Sequence, residues 1–394
     1  MAKSKKSKKS KRGKKYKRPN RGATTAEQVI TANQQVHSRF MQLPQEIRDE
    51  IYANVFCSTR FAFGRYTLSH IEGRGVVTSL STCGTPLALL RTCRRVRFEV
   101  GISWLHQVLF HFDDPRALLD KLAGIPITVR QQIRHVRVSG GSLMLSVECG
   151  DDEVYYRTAH VLKLLPGLEL DTLTVLGDRT SLVSYETLNM LVRYSDGWKK
   201  LHYLSPTSEF LGYKDDMRTF GPSDHMLNRY LRQPQPSDWQ NALEQRDGQA
   251  SHPSVVVYRA NAAGAPGAIL EPNTRKAYTQ AFTADQDTQT YGKVEDSTLM
   301  RPEEIEKEVL VVVQRGDGVD YADKEGSPYL PVGDIREVFP GMTWKDIRAE
   351  QAALWKDSDD ESDDDDDDLE TVRIADTYSH VDEYSWPSLR SWEE

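Results

Sequence analysis

Few residues of this sequence have the types and spacing that chemistry requires, and His111 is the first to consider. It precedes Asp113 and Asp114 in the segment HFDDP, and an imidazole with two carboxylates could begin a metal site. No further ligand stands nearby, and Asp114 followed by Pro115 is typical of a helix cap and a first helical position. We therefore interpret the segment as a strand end and a helix start, and we predict no metal and no cofactor.

The glycine-rich segment RGDGVDY, residues 315–321, is the second candidate for chemistry. A phosphate cradle needs a helix that starts directly after the glycines, and no helix signal follows this one. We predict a turn after a strand. The chain also lacks a GxSxG elbow, a Walker loop, a GxGxxG turn after a strand and an HExxH motif, so we expect no enzyme.

Arg91, Arg94 and Arg95 have the spacing of neighbours on one side of a helix. Such a group could hold a phosphate or an acidic partner. A solvated helix surface, or pairing with an acid such as Glu99, accounts for the same spacing, and we favour this interpretation.

Charge is strongly segregated along the chain, whose net charge is -7. Residues 1–21 carry twelve Lys or Arg and no acid, whereas residues 357–370 carry eleven acids and no base. The basic segment is predicted to be a nuclear-import signal, a nucleic-acid-binding arm covering residues 1–22, or a solubilising tail. Any nucleic-acid binding there would be non-specific and sensitive to salt. The import candidates are Lys5, Lys6, Lys8, Lys9, Lys11, Arg12, Lys14 and Lys15.

The acidic end has two features beyond its charge. Ser358 and Ser362 each have an acid three residues later, which resembles casein kinase 2 acceptor sites. The last residues mix aromatic and acidic side chains and could form a docking peptide that orders on binding, although random composition explains them equally well. The large apolar residues there are Tyr378, Tyr384, Trp386, Leu389 and Trp392.

The first element that could position a functional surface is a helix within LPQEIRDEIYANVF, residues 43–56. Pro44 fits the first helical position, and an apolar residue recurs every four positions. We call these four residues the apolar stripe: Leu43, Ile47, Ile51 and Val55. A second helix is predicted over residues 87–100, and residues 57–86 between the two read as an inserted β-hairpin.

Strands and helices then alternate. Strands are predicted at 133–138, 142–148, 171–177 and 200–205, and helices at 155–166 and 184–194. Such alternation favours right-handed crossovers and a largely parallel sheet. Two valine-rich strands, 254–260 and 306–316, are predicted to return to this sheet before a final helix at 343–355.

The two helical segments together resemble the F-box-like proteins abundant in filamentous fungi, over about residues 38–140. The matching residues are Leu43, Pro44, Glu46, Ile47, Arg48, Ile51, Tyr52, Leu89, Leu90, Cys93, Arg94 and Glu99. The resemblance implies a module that binds the adaptor subunit of a cullin-based ubiquitin ligase, while the C-terminal region presents an unknown substrate. It implies adaptor contacts from Pro44 and the apolar stripe, and a second-helix motif of Leu90, Cys93 and Arg94.

The sequence therefore predicts a mixed fold, α+β or α/β, with F-box-like helices, an inserted hairpin and a degenerate leucine-rich-repeat-like strand–helix region. No apolar run spans a membrane and no secretory signal stands at the start, so we expect the nucleus and/or the cytoplasm and no membrane partner. The expected divisions are a disordered basic tail 1–35, the F-box-like region 36–112 with its hairpin 57–86, an α/β region 113–212, an irregular region 213–355 and a disordered acidic tail 356–394.

A second hypothesis is a nuclear scaffold, associated with chromatin or nucleic acid, that acts through its charged tails and has no ubiquitin role. The two hypotheses differ in one structural expectation. An apolar stripe that is exposed favours docking, and one buried under the hairpin favours the scaffold.

Overall fold

The computed structural model describes residues 38–63, 87–146, 153–178, 180–212, 235–264, 266–279, 301–331 and 333–357. The basic tail with its import candidates lies outside these residues, and so does the acidic tail from Ser358 onwards, including Ser362. So do residues 64–86, which are most of the predicted hairpin.

The described strands form one sheet of eight and one sheet of two. The large sheet has the order β1-β2-β3-β6-β7-β10-β8-β9, and β4 pairs with β5. The strands are β1 Arg60–Phe63, β2 Leu109–Phe112, β3 His135–Ser139, β4 Leu143–Ser146, β5 Glu153–Tyr156, β6 Leu170–Leu176, β7 Trp198–Ser205, β8 Ser254–Ala260, β9 Arg275–Tyr278 and β10 Val309–Gln314.

Helices occupy most of the connections. They are α1 Gln45–Cys57, α2 Leu87–Thr92, α3 Arg94–Val100, α4 Pro115–Leu122, α5 Ile127–Arg130, α6 Thr158–Leu162, α7 Ser181–Tyr194, α8 Glu209–Gly212, α9 Ser237–Asp247, α10 Pro302–Ile305, α11 Ile335–Val338 and α12 Trp344–Asp357. Short 3-10 turns lie at Phe40–Gln42, Ser103–His106, Gln249–Ser251, Ala268–Leu270 and Pro272–Thr274.

The sheet is parallel from β1 to β7 and antiparallel from there to β9. The prediction of a mixed α/β fold with a largely parallel sheet is thus confirmed. The two valine-rich segments do join the sheet, as β8 and β10, and β10 lies between β7 and β8.

One face of the sheet is a continuous apolar layer. In register across six strands lie Phe112, Val138, Val175, Tyr203, Val311 and Val257, and all of them are almost fully buried. Buried leucines of α4 and α7 add to the same core, among them Leu118, Leu122 and Leu188. Burial of each such side chain contributes roughly 1.5–3 kcal/mol.

Two element predictions were wrong. The single helix predicted for 87–100 is two helices, because Cys93 adopts extended backbone and its Sγ accepts the Val96 N–H at 3.4 Å, which caps α3. Tyr155 and Tyr156, predicted as the start of the helix 155–166, belong instead to strand β5, which pairs with β4, and α6 begins only at Thr158. The strand predicted at 142–148 is confirmed as β4, and it lies in this separate hairpin outside the large sheet.

Candidate functional site

Helix α1 is the element on which the docking hypothesis depends, and its buried side is not the apolar stripe. The helix begins at Gln45, one residue after Pro44, and buries Arg48, Tyr52 and Phe56 at four-residue spacing. The large aromatic rings of Tyr52 and Phe56 are the apolar part of this inner side. The apolar pattern of the sequence did not reveal this side, because its first residue, Arg48, is charged.

The buried charge of Arg48 is neutralised by a carboxylate, that of Glu99, from the neighbouring helix α3. Its Nε donates to Glu99 Oε2 at 3.1 Å and its Nη2 donates to Glu99 Oε1 at 2.9 Å. Nη1 also donates to the Leu43 carbonyl, and the Tyr52 hydroxyl donates to Glu99 Oε2 at 3.0 Å. A fork-shaped pair of this kind fixes both distance and orientation, so α1 and α3 are held as one unit.

We call the paired Arg48 and Glu99 side chains the Arg48–Glu99 clamp. The pKa values of its groups depend on their burial and on the hydrogen bonds to the Glu99 carboxylate. The pKa of Tyr52 is raised to about 12, mainly by burial and to a lesser degree by the hydrogen bond to Glu99. Burial works against the charged form of Glu99, but hydrogen bonds from Arg48, Arg95 and Tyr52 together hold its pKa below the usual range. Arg95 Nε lies 2.8 Å from Glu99 Oε1, which confirms the predicted pairing of an arginine with this acid.

The apolar stripe is partly exposed. Ile47 is 43% exposed, whereas Leu43, Ile51 and Val55 are half-buried. Pro44, the other predicted adaptor contact, is exposed and directly precedes the helix. The stripe therefore forms an outward flank of α1, next to the side that the clamp holds.

The residues of the second-helix motif separate into different roles. Leu90 is half-buried in α2, Cys93 is the half-buried cap between the helices, and Arg94 is exposed on α3. The structure brings the two predicted motifs into one helix pair, through Arg48 and Glu99 rather than through these three residues.

The segment around His111 has the cap that the sequence predicts. Asp114 Oδ1 accepts the Ala117 N–H at 2.6 Å at the start of α4. His111 is buried in β2, with Nε2 3.3 Å from Asp113 Oδ1, while its Nδ1 has no hydrogen-bond partner among the residues that the structure describes. Within the part of the chain that the structure describes, no group of three His, Cys, Asp or Glu side chains is placed to hold a metal ion.

A polar row on the second face of the sheet was missed by the sequence reasoning. His111, Arg137, Thr174 and His202 lie in register across β2, β3, β6 and β7. Burial lowers the pKa of His111 to about 4 and that of His202 to about 3, so both imidazoles are neutral donors or acceptors at neutral pH. The signal was present, since each of these strands has a polar residue at the matching alternate position.

The glycine-rich segment after β10 is a turn, as predicted, and its first residues bind a carboxylate of the chain itself. Arg315 Nε lies 2.8 Å from Asp247 Oδ2, and the Gly316 amide donates to the same oxygen at 3.0 Å. The following backbone crosses the start of two strands, since the Gly197 amide donates to the Tyr321 carbonyl and the Gly167 amide to that of Asp323, both at 2.6 Å.

Comparison of the chain with protein-family models, with curated proteins and with solved structures finds no match. Among the described helices, none combines the length and the apolar character that crossing a bilayer requires.

Proposed function

We propose that this chain is a non-catalytic interaction protein that binds a partner through the apolar stripe of α1. The observation that carries the proposal is Ile47, which is 43% exposed on a helix that already has a complete buried side. With Leu43, Ile51 and Val55 half-exposed around it, the stripe has the four-residue spacing by which a helix enters a partner's groove.

The Arg48–Glu99 clamp supports this proposal from the inner side of the helix. Because α1 is fixed against α3 by two charged hydrogen bonds, the stripe is already in place before a partner arrives. Binding to a helix that is held in this way loses less conformational entropy than binding to a free one.

The resemblance to F-box-like proteins suggests the identity of the partner. We propose the adaptor subunit of a cullin-based ubiquitin ligase, with the α/β sheet region holding a substrate. Import through the basic tail would place this receptor in the nucleus as well as the cytoplasm.

The test is co-purification of the full chain with the adaptor. Ile47→Asp should weaken adaptor binding about tenfold or more, because the complex would bury an unpaired carboxylate. Val338→Asp is the matched control, since Val338 is a 40% exposed aliphatic residue on α11 and its replacement should leave binding unchanged. Circular dichroism should show both variants folded.

Two outcomes contradict the proposal: no binding by the wild-type chain, or equal binding by Ile47→Asp. The first would favour the scaffold hypothesis. In that case deletion of residues 1–22 and 358–370 should remove partners that the Ile47 variant retains.

A further inference from the structure

The outward side of α3 combines arginines with an aromatic ring. Arg94, Arg97 and Phe98 lie three and four residues apart, so they share one side of the helix, and Phe98 is 88% exposed. Ile102, 57% exposed, follows in the turn after the helix, and Arg91 is exposed at the end of α2. We call these five residues the arginine–phenylalanine surface.

The arginines of this surface differ from their neighbour Arg95. Arg95 donates a hydrogen bond to the Glu99 carboxylate, which also accepts hydrogen bonds from Arg48 and Tyr52. Among the residues that the structure describes, no carboxylate lies within ion-pair distance of Arg91, Arg94 or Arg97. The surface therefore offers guanidinium groups whose charge nothing described here neutralises.

This combination defines the chemistry of a ligand. Guanidinium groups bind carboxylates in pairs of hydrogen bonds and also stack on aromatic faces. Phe98 and Ile102 offer apolar area to a ring or a large aliphatic side chain. A peptide that alternates acids with aromatic residues satisfies both requirements, whereas a nucleic acid would use the arginines and leave Ile102 exposed.

We propose that the arginine–phenylalanine surface binds the C-terminal segment of this same chain, residues 358–394. In that segment residues 358–370 are acidic apart from Ser358, Ser362 and Leu369, and acids then continue mixed among Tyr378, Tyr384 and Trp386. Its charge is opposite to that of the surface, and its apolar residues are of the type that Phe98 and Ile102 would contact.

The length of the segment permits this contact. Residues 358–394 follow directly after α12 and, when extended, span at most ~120 Å at about 3.3 Å per residue. A compact domain of this size has a radius of gyration of only about 20 Å. The inference does not rest on the proposed function, because the apolar stripe of α1 contributes none of its residues.

Photo-crosslinking in the full chain tests the proposal. With a photoreactive benzoylphenylalanine in place of Phe98, irradiation should link this position to the tryptic peptide 374–390, which contains Tyr378, Tyr384 and Trp386. The product should be monomeric. The same group in place of Tyr329, a 58% exposed ring beside Arg336, is the matched control and should not capture that peptide.

Charge variants in the same background test the role of the arginines. Arg94→Glu with Arg97→Glu should lower the yield of the link about tenfold, while Arg94→Lys with Arg97→Lys should retain most of it. Raising the salt concentration from roughly 0.1 M to roughly 1 M should also lower the yield.

Three results would overturn the proposal. The absence of any link to residues 358–394 would show that the segment does not contact this surface. A link found only in a dimer would show that the surface binds a second copy of the chain. Equal yields in the glutamate and lysine variants would show that charge does not select the segment.

Discussion

His111 is a residue whose burial makes stability depend on pH. Burial lowers the pKa of its imidazole to about 4, against about 6.5 in an unfolded chain, with Asp113 opposing the shift and Arg137 adding to it. Between these two values the unfolded state binds a proton that the folded state does not. The stability that the neutral form contributes is therefore complete above about pH 6.5 and is lost as the pH falls towards 4.

We predict that His111→Gln flattens this dependence. From a folded pKa near 4, His111 should account for about 2 kcal/mol of the unfolding free energy lost between about pH 7.5 and about pH 5. Urea unfolding at the two pH values measures the difference for wild type and variant. His252→Gln, at an exposed position, should keep the wild-type difference, and an unchanged difference in His111→Gln would contradict the assignment.

At the scale of elements, a buried ion pair joins the end of α9 to the end of β10. The side chains of Asp247 and Arg315 are both almost fully buried. Burial opposes the charge on Asp247, but the Arg315 and Gly316 hydrogen bonds and the nearby Arg246 charge hold its pKa below the usual range. Arg315 Nη1 also lies 3.3 Å from Asp196 Oδ1, so the end of β10 contacts both the end of α9 and the connection between α7 and β7.

Asp247→Asn should destabilise the fold by roughly 3–5 kcal/mol, because Arg315 would remain buried without its main counter-charge. Asp317→Asn, an exposed acid in the same turn, should change stability by no more than about 0.5 kcal/mol. Urea unfolding near neutral pH gives both values. A small effect of Asp247→Asn would mean that Asp196 alone can neutralise Arg315.

Local signals predicted several elements, because their causes lie within a few residues. Asp114 with Pro115 marked the start of α4, and Thr343 with Asp346 marked that of α12, where the Thr343 hydroxyl donates to Asp346 Oδ2 at 2.6 Å. The orientation of α1 could not be predicted in this way. Its buried side depends on Glu99, which is 51 residues away from Arg48 in the chain.

For the candidate site too, the helices could be predicted from the sequence, whereas their orientation could not. The sequence located the helices and the apolar stripe but left the exposure of Ile47 open, and it provided no reason to expect that Arg48 would be buried. It also gave no reason to single out Phe98, because whether an aromatic residue in a helix is exposed depends on the elements that pack against it.

For the molecule as a whole, the eight-stranded sheet predicts cooperative unfolding. Val311 is fully buried in β10 and faces Tyr203 of β7 and Val257 of β8. Val311→Ala should cost about 2 kcal/mol, and tryptophan fluorescence and far-ultraviolet circular dichroism should shift together. Separate transitions for the two probes would show that β8 to β9 form a unit of their own.

The place of β10 between two earlier strands sets an order for folding during synthesis. Strands β1, β2, β3, β6 and β7 can pair one after another as they leave the ribosome, because their order in the sheet follows their order in the chain and only the β4–β5 hairpin intervenes. Strand β8 emerges next but cannot join them, since β10, which lies between β7 and β8, ends only at Gln314. Until then β7 and β8 both present unpaired edges, and a nascent chain that stalls before this residue exposes them to chaperones and to other nascent chains.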